Sequence, residues 1–297
     1  MAVAGSGSRA PGAGRASGRR RPVFDPSSLK ILAVSSPWLP SFELCHLACG
    51  RALRCRDLPQ AASHLFTTRD VDARPGSPEA AAAWERIAAA IGTSSSRILR
   101  AHQVHGRAVL IARLNGVPYP ARGSVDADVL VSDDPSVALA VRVADCVPVL
   151  IADARLGVVA AIHAGWRGTA ARAACAGVEA LAGAFGSRPG DLHAAIGPSI
   201  GPAAYEVGEE VRAAFDAAGH GRLSLARWFS TGPRGRPHLD VWQANADQLT
   251  DAGVPAARIA CARACTASHP EWFFSHRGQG AHAGRLVAAI RAFRPAG

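Results

Sequence analysis

An α/β fold is predicted by two features of the 297-residue chain. Short β-branched runs recur along it, at 129–132, 137–143, 147–153 and 158–164. Two of the later runs, at 158–164 and 192–200, pass through glycine-bearing turns into alanine-rich segments with helix-forming composition. That alternation of strand, turn and helix is the pattern of α/β proteins. With 48% hydrophobic residues the chain can bury one large core or two modest ones.

No apolar run approaches the ~20 residues of a membrane span, and no apolar core precedes a cleavage site at the start. A cytoplasmic protein without a membrane partner is expected. The net charge of +10 invites nucleic acid as a partner, but five arginines before Asp25 supply half of it. Lys30 is the only lysine, so the arginines together with abundant Ala, Gly and Pro reflect codon bias, and no nucleic-acid partner is expected. Seven cysteines are an odd number spread over a long chain, which argues against a disulfide framework.

Taken in order, residues 1–24 are Gly, Ala, Ser and Arg without hydrophobic periodicity and are expected to be disordered. Residues 25–60 carry no motif, although ILAV at 31–34 fits a strand. The folded domain is therefore drawn from 61 to 297. Its first strand is AASHLFTTR at 61–69, and Glu79 to Ile91 has helix formers with an apolar stripe that Gly92 ends. Arg97 to Ala112 reads as two strands around a bend near Gly106, and Asp126 to Ser132 as a short strand. His102 and His105 form an HxxH pair; on strands an odd offset sends the two rings to opposite faces, so at most one of them joins a common site.

The stretch from Val137 to Thr169 organises the rest. Two apolar runs there end on residues able to bind metal or act as nucleophile, Cys146 and His163. After His163 a glycine-bearing loop runs into a helix, an arrangement suited to an anion, with Arg167 available to clamp a phosphate. Leu192 to Ile200 repeats strand into glycine turn before a helix at 203–218, and 219–237 reads as an exposed excursion that could serve as a lid. Asp240 caps a helix at 241–252, Arg258 to Ala262 is a strand, and a final amphipathic helix runs to about Phe293.

The blocks QVHG (103–106), ADCVPVL (144–150), HAGWRGT (163–169), IGPSIGP with YEVG (196–208), HLDVWQAN (238–245), and CT with FFSHR and GR (265–285) resemble the YfiH or laccase-domain family. That family is variously called polyphenol oxidase, peptidoglycan editing factor and purine nucleoside phosphorylase, and the likeness covers about residues 62–293. The resemblance implies a single-domain four-layer α/β/β/α sandwich with mixed sheets. It also implies a zinc site of His105, Cys146 and His163, with His102 left as a neighbour. Three protein ligands leave a fourth zinc position open, the catalytic arrangement. The resemblance implies purine nucleosides and phosphate as partners: inosine, guanosine, adenosine and methylthioadenosine split by phosphate, and adenosine also deaminated.

Arg167, Thr169 at the helix start, and Arg277 are the expected phosphate contacts, while Asp145 is a candidate for proton transfer or a structural role. Zinc is expected rather than copper, since copper oxidases need clusters of His-x-His pairs and the chain has none. The sequence departs from the family pattern at 70–80, where a glycine-rich stretch is replaced, and at 275–280, where SHRGQG stands for SYRRDG. Rival readings are a thiol hydrolase with Cys146 as nucleophile and His163 as base, or a factor that binds or edits peptidoglycan precursors. A monomer and a homodimer are both compatible with the sequence.

Overall fold

The computed structural model describes residues 1–2, 40–60, 62–116, 119 and 123–294. In chain order the strands are β1 (Phe42–Leu47), β2 (Gly50–Cys55), β3 (Ser63–Thr67), β4 (Ile98–Leu99), β5 (Val109–Ala112), β6 (Val129–Ser132), β7 (Ala138–Val143), β8 (Val147–Asp153), β9 (Val158–Ala164), β10 (Leu192–Ile196), β11 (Phe229–Thr231), β12 (Pro237–Leu239), β13 (Ile259–Cys261) and β14 (Leu286–Arg291). The helices are α1 (Ala80–Ile91), α2 (Trp166–Ala170), α3 (Ala173–Phe185), α4 (Glu209–Ala217), α5 (Arg222–Trp228), α6 (Val241–Asp251) and α7 (His276–Gln279). One six-stranded sheet has the order β1-β2-β3-β14-β7-β4, and the other β13-β10-β8-β9-β6-β5. Both are mixed: β4 runs parallel to β7, β5 to β6 and β10 to β13, and the remaining neighbours are antiparallel.

Strand alternation builds the layers. In β9, Val158, Ala160 and Ile162 face a core shared with α3 and α6, while Val159 and Ala161 face the other sheet. In β7, Leu139, Val141 and Val143 meet that same inter-sheet core, and Ala138 and Ala140 turn outward under Trp84, Ile87 and Ile91 of α1. Three apolar cores thus separate four layers, α/β/β/α, with two sheets back to back. Gly92 closes α1 in the left-handed conformation, φ 75°, its N–H returning to the Ala88 and Ala89 carbonyls. No helix among the described residues is long and apolar enough to cross a membrane.

Several sequence expectations are corrected. Residues 42–55, in the stretch where the sequence shows no motif, belong to the sheet: β1 and β2 form a hairpin in register Phe42↔Cys55, and β2 pairs with β3. The final apolar segment is the strand β14 rather than a helix. It lies between β3 and β7 and is covered on both faces, and a strand buried on both faces shows no polar alternation to betray it. The helix expected from 203 starts only at Glu209, after Gly208, because Pro202 to Tyr205 form a turn. The excursion at 219–237 is exposed for most of its length, as expected, except that α5 and β11 bring Trp228 and Phe229 against Phe215, with ring centroids 6.0 and 5.4 Å away. The expected disordered tail beyond Ala2, and the strand at 31–34, lie outside the described residues.

His64 on β3 is buried beside the neighbouring strand β2 of the same sheet. Its Nε2 accepts the Cys55 N–H at 3.0 Å and its Nδ1 donates to the Ala62 carbonyl at 2.9 Å, a pair of roles open only to the neutral ring. Burial pushes its pKa below the ordinary histidine value. The unfolded chain therefore takes up this proton first as pH falls. The stability that His64 contributes is complete above about pH 6.5 and is lost below it. Urea midpoints at pH 7.5 and pH 5 should separate more for the native chain than for His64→Gln; equal separation would refute the assignment.

Candidate metal and substrate site

The site lies where the chain crosses from one sheet to the other. β7 belongs to the first sheet and β8 to the second, so residues 144–146 must bridge them at their common end. Asp145 makes the turn in the left-handed region, φ 82°, and presents Cys146 at the start of β8. His163 is the penultimate residue of β9, opposite Pro148, and continues the inter-sheet face of Val159 and Ala161. His105 arrives from the loop between β4 and β5, also with positive φ, 62°. Two left-handed non-glycine residues side by side are the strain expected where side-chain placement matters more than backbone ease.

The thiol and the two imidazoles converge, their candidate ligand atoms all within 4.8 Å of one another. The rings of His105 and His163 stand edge to face with centroids 4.8 Å apart. His102 stays outside: its Nδ1 meets Asp126 at 2.8 Å on the exposed rim. Its separation from His105 comes from loop geometry rather than strand alternation, since neither residue lies in a strand.

Behind the cluster stands Asp128, a residue that sequence reasoning left as part of a strand. Its carboxylate is fully buried and accepts the backbone N–H groups of Val104 at 3.2 Å, His105 at 3.0 Å and Gly106 at 2.6 Å, and the His163 ring at 2.7 Å. A carboxylate only accepts here, so His163 Nδ1 carries the proton and Nε2 is left for Cys146 and a metal. Burial alone would raise the Asp128 pKa, but the His163 hydrogen bond and the loop N–H groups hold it below the usual carboxylate range. The signal available in the sequence was an acid two positions before Leu130 on the face turned toward the other sheet.

Without a metal the same geometry forms an ion pair. Burial would raise the Cys146 thiol, yet the His163 charge and hydrogen bonds from both histidines bring it down to about 6. Burial would lower His163, yet the Cys146 thiolate and Asp128 push it up to about 9. A soft thiolate and two imidazoles, one held by a carboxylate, are a donor set that fits a transition metal.

Gly165 completes the cradle. Its backbone, φ −67° and ψ 176°, would suit any residue, but a Cβ there would lie 2.9 Å from Cys146 Sγ and 3.0 Å from His105 Cδ2. Gly165→Ala should therefore cost about 1–3 kcal/mol of crowding at the cluster, a loss of metal affinity of roughly tenfold or more. Chelator competition would measure this, and an unchanged affinity would show that the cluster does not bind metal as a unit.

A cleft of about 300 Å³ opens on the cluster, walled by Trp166, Tyr205, Ile200, Val241, Arg167 and Arg277. Arg167 lies over the Trp166 ring at 4.2 Å and Arg277 over Tyr205 at 5.3 Å. Arg277 is held further by the Glu206 carbonyl at 2.8 Å, and its backbone N–H reaches Asp145 at 2.6 Å. Asp145 also accepts from Thr266 at 2.6 Å, so it ties the segment carrying Arg277 to the strand carrying Cys146.

Thr169, expected among the phosphate contacts, is fully buried and does not line the cleft. The helix starts earlier, at Trp166, and Thr169 instead accepts from Asn245 at 3.0 Å and joins α2 to α6. At 275–280, where the sequence departs from the family pattern, a local cap closes: Ser275 Oγ accepts the Gly278 N–H, and Gln279 Oε1 accepts the Ser275 N–H, both at 3.1 Å.

The family described as multi-copper polyphenol oxidoreductase laccase matches residues 73–292. The chain belongs to this laccase-domain family. Among curated relatives, a Deinococcus radiodurans protein named purine nucleoside phosphorylase is 38% identical over 243 residues, 77% of this chain and 89% of that one. A protein of an unknown prokaryote named adenosine deaminase RL5 is 40% identical over 165 residues, 55% of this chain and 60% of its own length. The crystal structure of YlmD from Geobacillus stearothermophilus superimposes with a TM-score of 0.72 at 29% identity, covering 82% of this chain and 96% of that one. The fold is thus that of the YfiH-like members of the laccase-domain family. Among the described residues there is one metal-compatible cluster, which contains a thiol.

Proposed function

We propose that the protein is a zinc-dependent purine nucleoside phosphorylase that cleaves inosine, guanosine, adenosine and methylthioadenosine with phosphate and also deaminates adenosine, acting in the cytoplasm. The observation that carries this reading is the aromatic cleft opening directly on the Cys146, His105 and His163 cluster, in a chain whose curated relatives bear those activities as names.

Zinc is the metal of choice for one thiolate and two imidazoles, and when bound it supplies Lewis-acid polarisation and lowers the pKa of a water to about 7. The chain's own residues do the rest. Trp166 and Tyr205 offer an aromatic wall in the cleft against which a purine packs. Arg167 and Arg277 place positive charge at the rim of this cleft, available to polar groups of the bound substrate. In phosphorolysis a phosphate oxygen forms the bond to the ribose anomeric carbon as the bond from that carbon to the purine nitrogen breaks. The purine leaves with the electron pair and takes up a proton. In deamination, water adds at the carbon bearing the amino group, and ammonia departs.

Incubation of the purified chain with inosine and phosphate, run beside metal analysis, tests the reading. Ribose 1-phosphate and hypoxanthine should appear with one zinc per chain. Their absence, with tight binding of a peptidoglycan precursor instead, would favour the editing factor. The lowered Cys146 thiol supports a thiol hydrolase as second reading, and activity that survives complete chelation would select it.

A further inference from the structure

A second cleft, about 640 Å³, lies on the other side of the Cys–His cluster and shares with the first the walls His105, Ala144, Cys146 and His276. Its character is different. Where the first is lined by Trp166, Tyr205, Ile200 and Val241, the second holds Arg142 and Arg285 with Gln103 and His102.

The two arginines are neighbours by construction. Arg142 is paired with Val287 across β7 and β14, and Arg285 stands two residues before Val287, so the two side chains leave the same face of the sheet on a diagonal. Arg142 is half-buried, and among the described residues its guanidinium has neither a carboxylate nor a carbonyl partner. Arg285 donates to the Ala283 and Gly284 carbonyls at 2.6 and 3.1 Å, which anchors its guanidinium without neutralising it. The acid beside it, Asp72, accepts the Arg285 backbone N–H at 2.9 Å and approaches the Arg74 side chain at 3.9 Å. Gln103 grips the Arg142 backbone from both sides, donating to its carbonyl at 2.8 Å and accepting its N–H at 2.9 Å, which fixes where the Arg142 side chain starts.

Burial and the neighbouring Arg285 charge both act against the Arg142 cation. Two like charges held together in a partly desolvated cleft are a standing cost that a doubly charged oxyanion would relieve, and paired guanidinium forks match phosphate geometry.

We propose that Arg142 and Arg285 form a phosphate-dianion site in this second cleft, beyond the cluster from the aromatic cleft. The phosphate chemistry rests on the phosphorylase reading. It has two sources, free phosphate and the monoester of a nucleoside 5′-monophosphate, and the site serves whichever the cluster places next to the nucleoside.

The test uses the full-length zinc-loaded protein and Arg142→Met, with Arg142→Lys as a charge-keeping variant. Calorimetry is run with inorganic phosphate and with inosine 5′-monophosphate, and phosphorolysis kinetics are measured at varied phosphate and varied inosine. Arg142→Met is expected to weaken one of the two ligands at least tenfold, with the KM for inosine moving less than twofold and one zinc per chain retained. Arg142→Lys should recover part of the loss. A rise in the KM for phosphate identifies free phosphate as the occupant; a loss of monophosphate binding alone identifies the monoester. Unchanged binding of both ligands in Arg142→Met overturns the site, as does a loss seen in Arg167→Met but not in Arg142→Met. Phosphate binding that depends on Arg142 in a protein without phosphorolysis would leave the anion site standing and remove the phosphorylase reading instead.

Discussion

Replacing Cys146 with alanine is expected to reduce the metal content from one per chain to below about a tenth, and phosphorolysis by about three orders of magnitude, ~4 kcal/mol of barrier. The reason is geometric. Cys146 supplies the only thiol of the cluster, and the residual pair, His105 and His163, offers two neutral donors where three ligands with one negative charge stood. Metal analysis of the purified variant, beside the nucleoside assay, checks both halves. Dialysis of the native chain against a strong chelator should reproduce the loss, and added zinc should reverse it. Full activity in a metal-free Cys146→Ala chain would end the metal reading altogether.

The second large effect is expected at Asp128. Asp128→Asn keeps the shape but turns an amide N–H₂ toward groups that themselves donate, the N–H groups of residues 104–106 and the His163 ring. Loss of the carboxylate behind a metal-binding histidine lowers affinity about 10- to 100-fold. Asp128→Ala goes further, leaving the buried N–H groups and imidazole without their acceptor, at about 3–5 kcal/mol of stability. Zinc affinity by chelator competition and urea unfolding of the metal-free protein measure the two effects separately. A variant with native affinity would show that the His105 loop holds its position without Asp128.

The candidate ligand residues were legible because they sit in short motifs. QVHG, ADC and HAGWRGT mark His105, Cys146 and His163 through the resemblance, and the structure brings these three together. Strand character was legible wherever one run had β-branched residues and turn signals at its ends, as in β7, β8 and β9. Periodicity failed for β14, whose two buried faces leave no alternation, and for the hairpin of β1 and β2, where arginines and cysteines mask the pattern. It failed again at α5, where Trp228 and Phe229 looked like surface residues among Gly, Pro and Arg.

By itself, then, the sequence determined the family, the α/β alternation and the three candidate ligand positions, all of which depend on residue type and on spacing within a few residues. Tertiary structure alone decided which residues support them. Asp128, Asp145 and Arg142 act across separations of 22 to 132 positions, reaching Gly106, Arg277 and Gln103. It also decided that Thr169 is buried away from the cleft, where its hydroxyl meets Asn245, 76 residues away, and ties two helices together. Such contacts arise where two sheets close on one another, and no local pattern along the chain records where two sheets will meet.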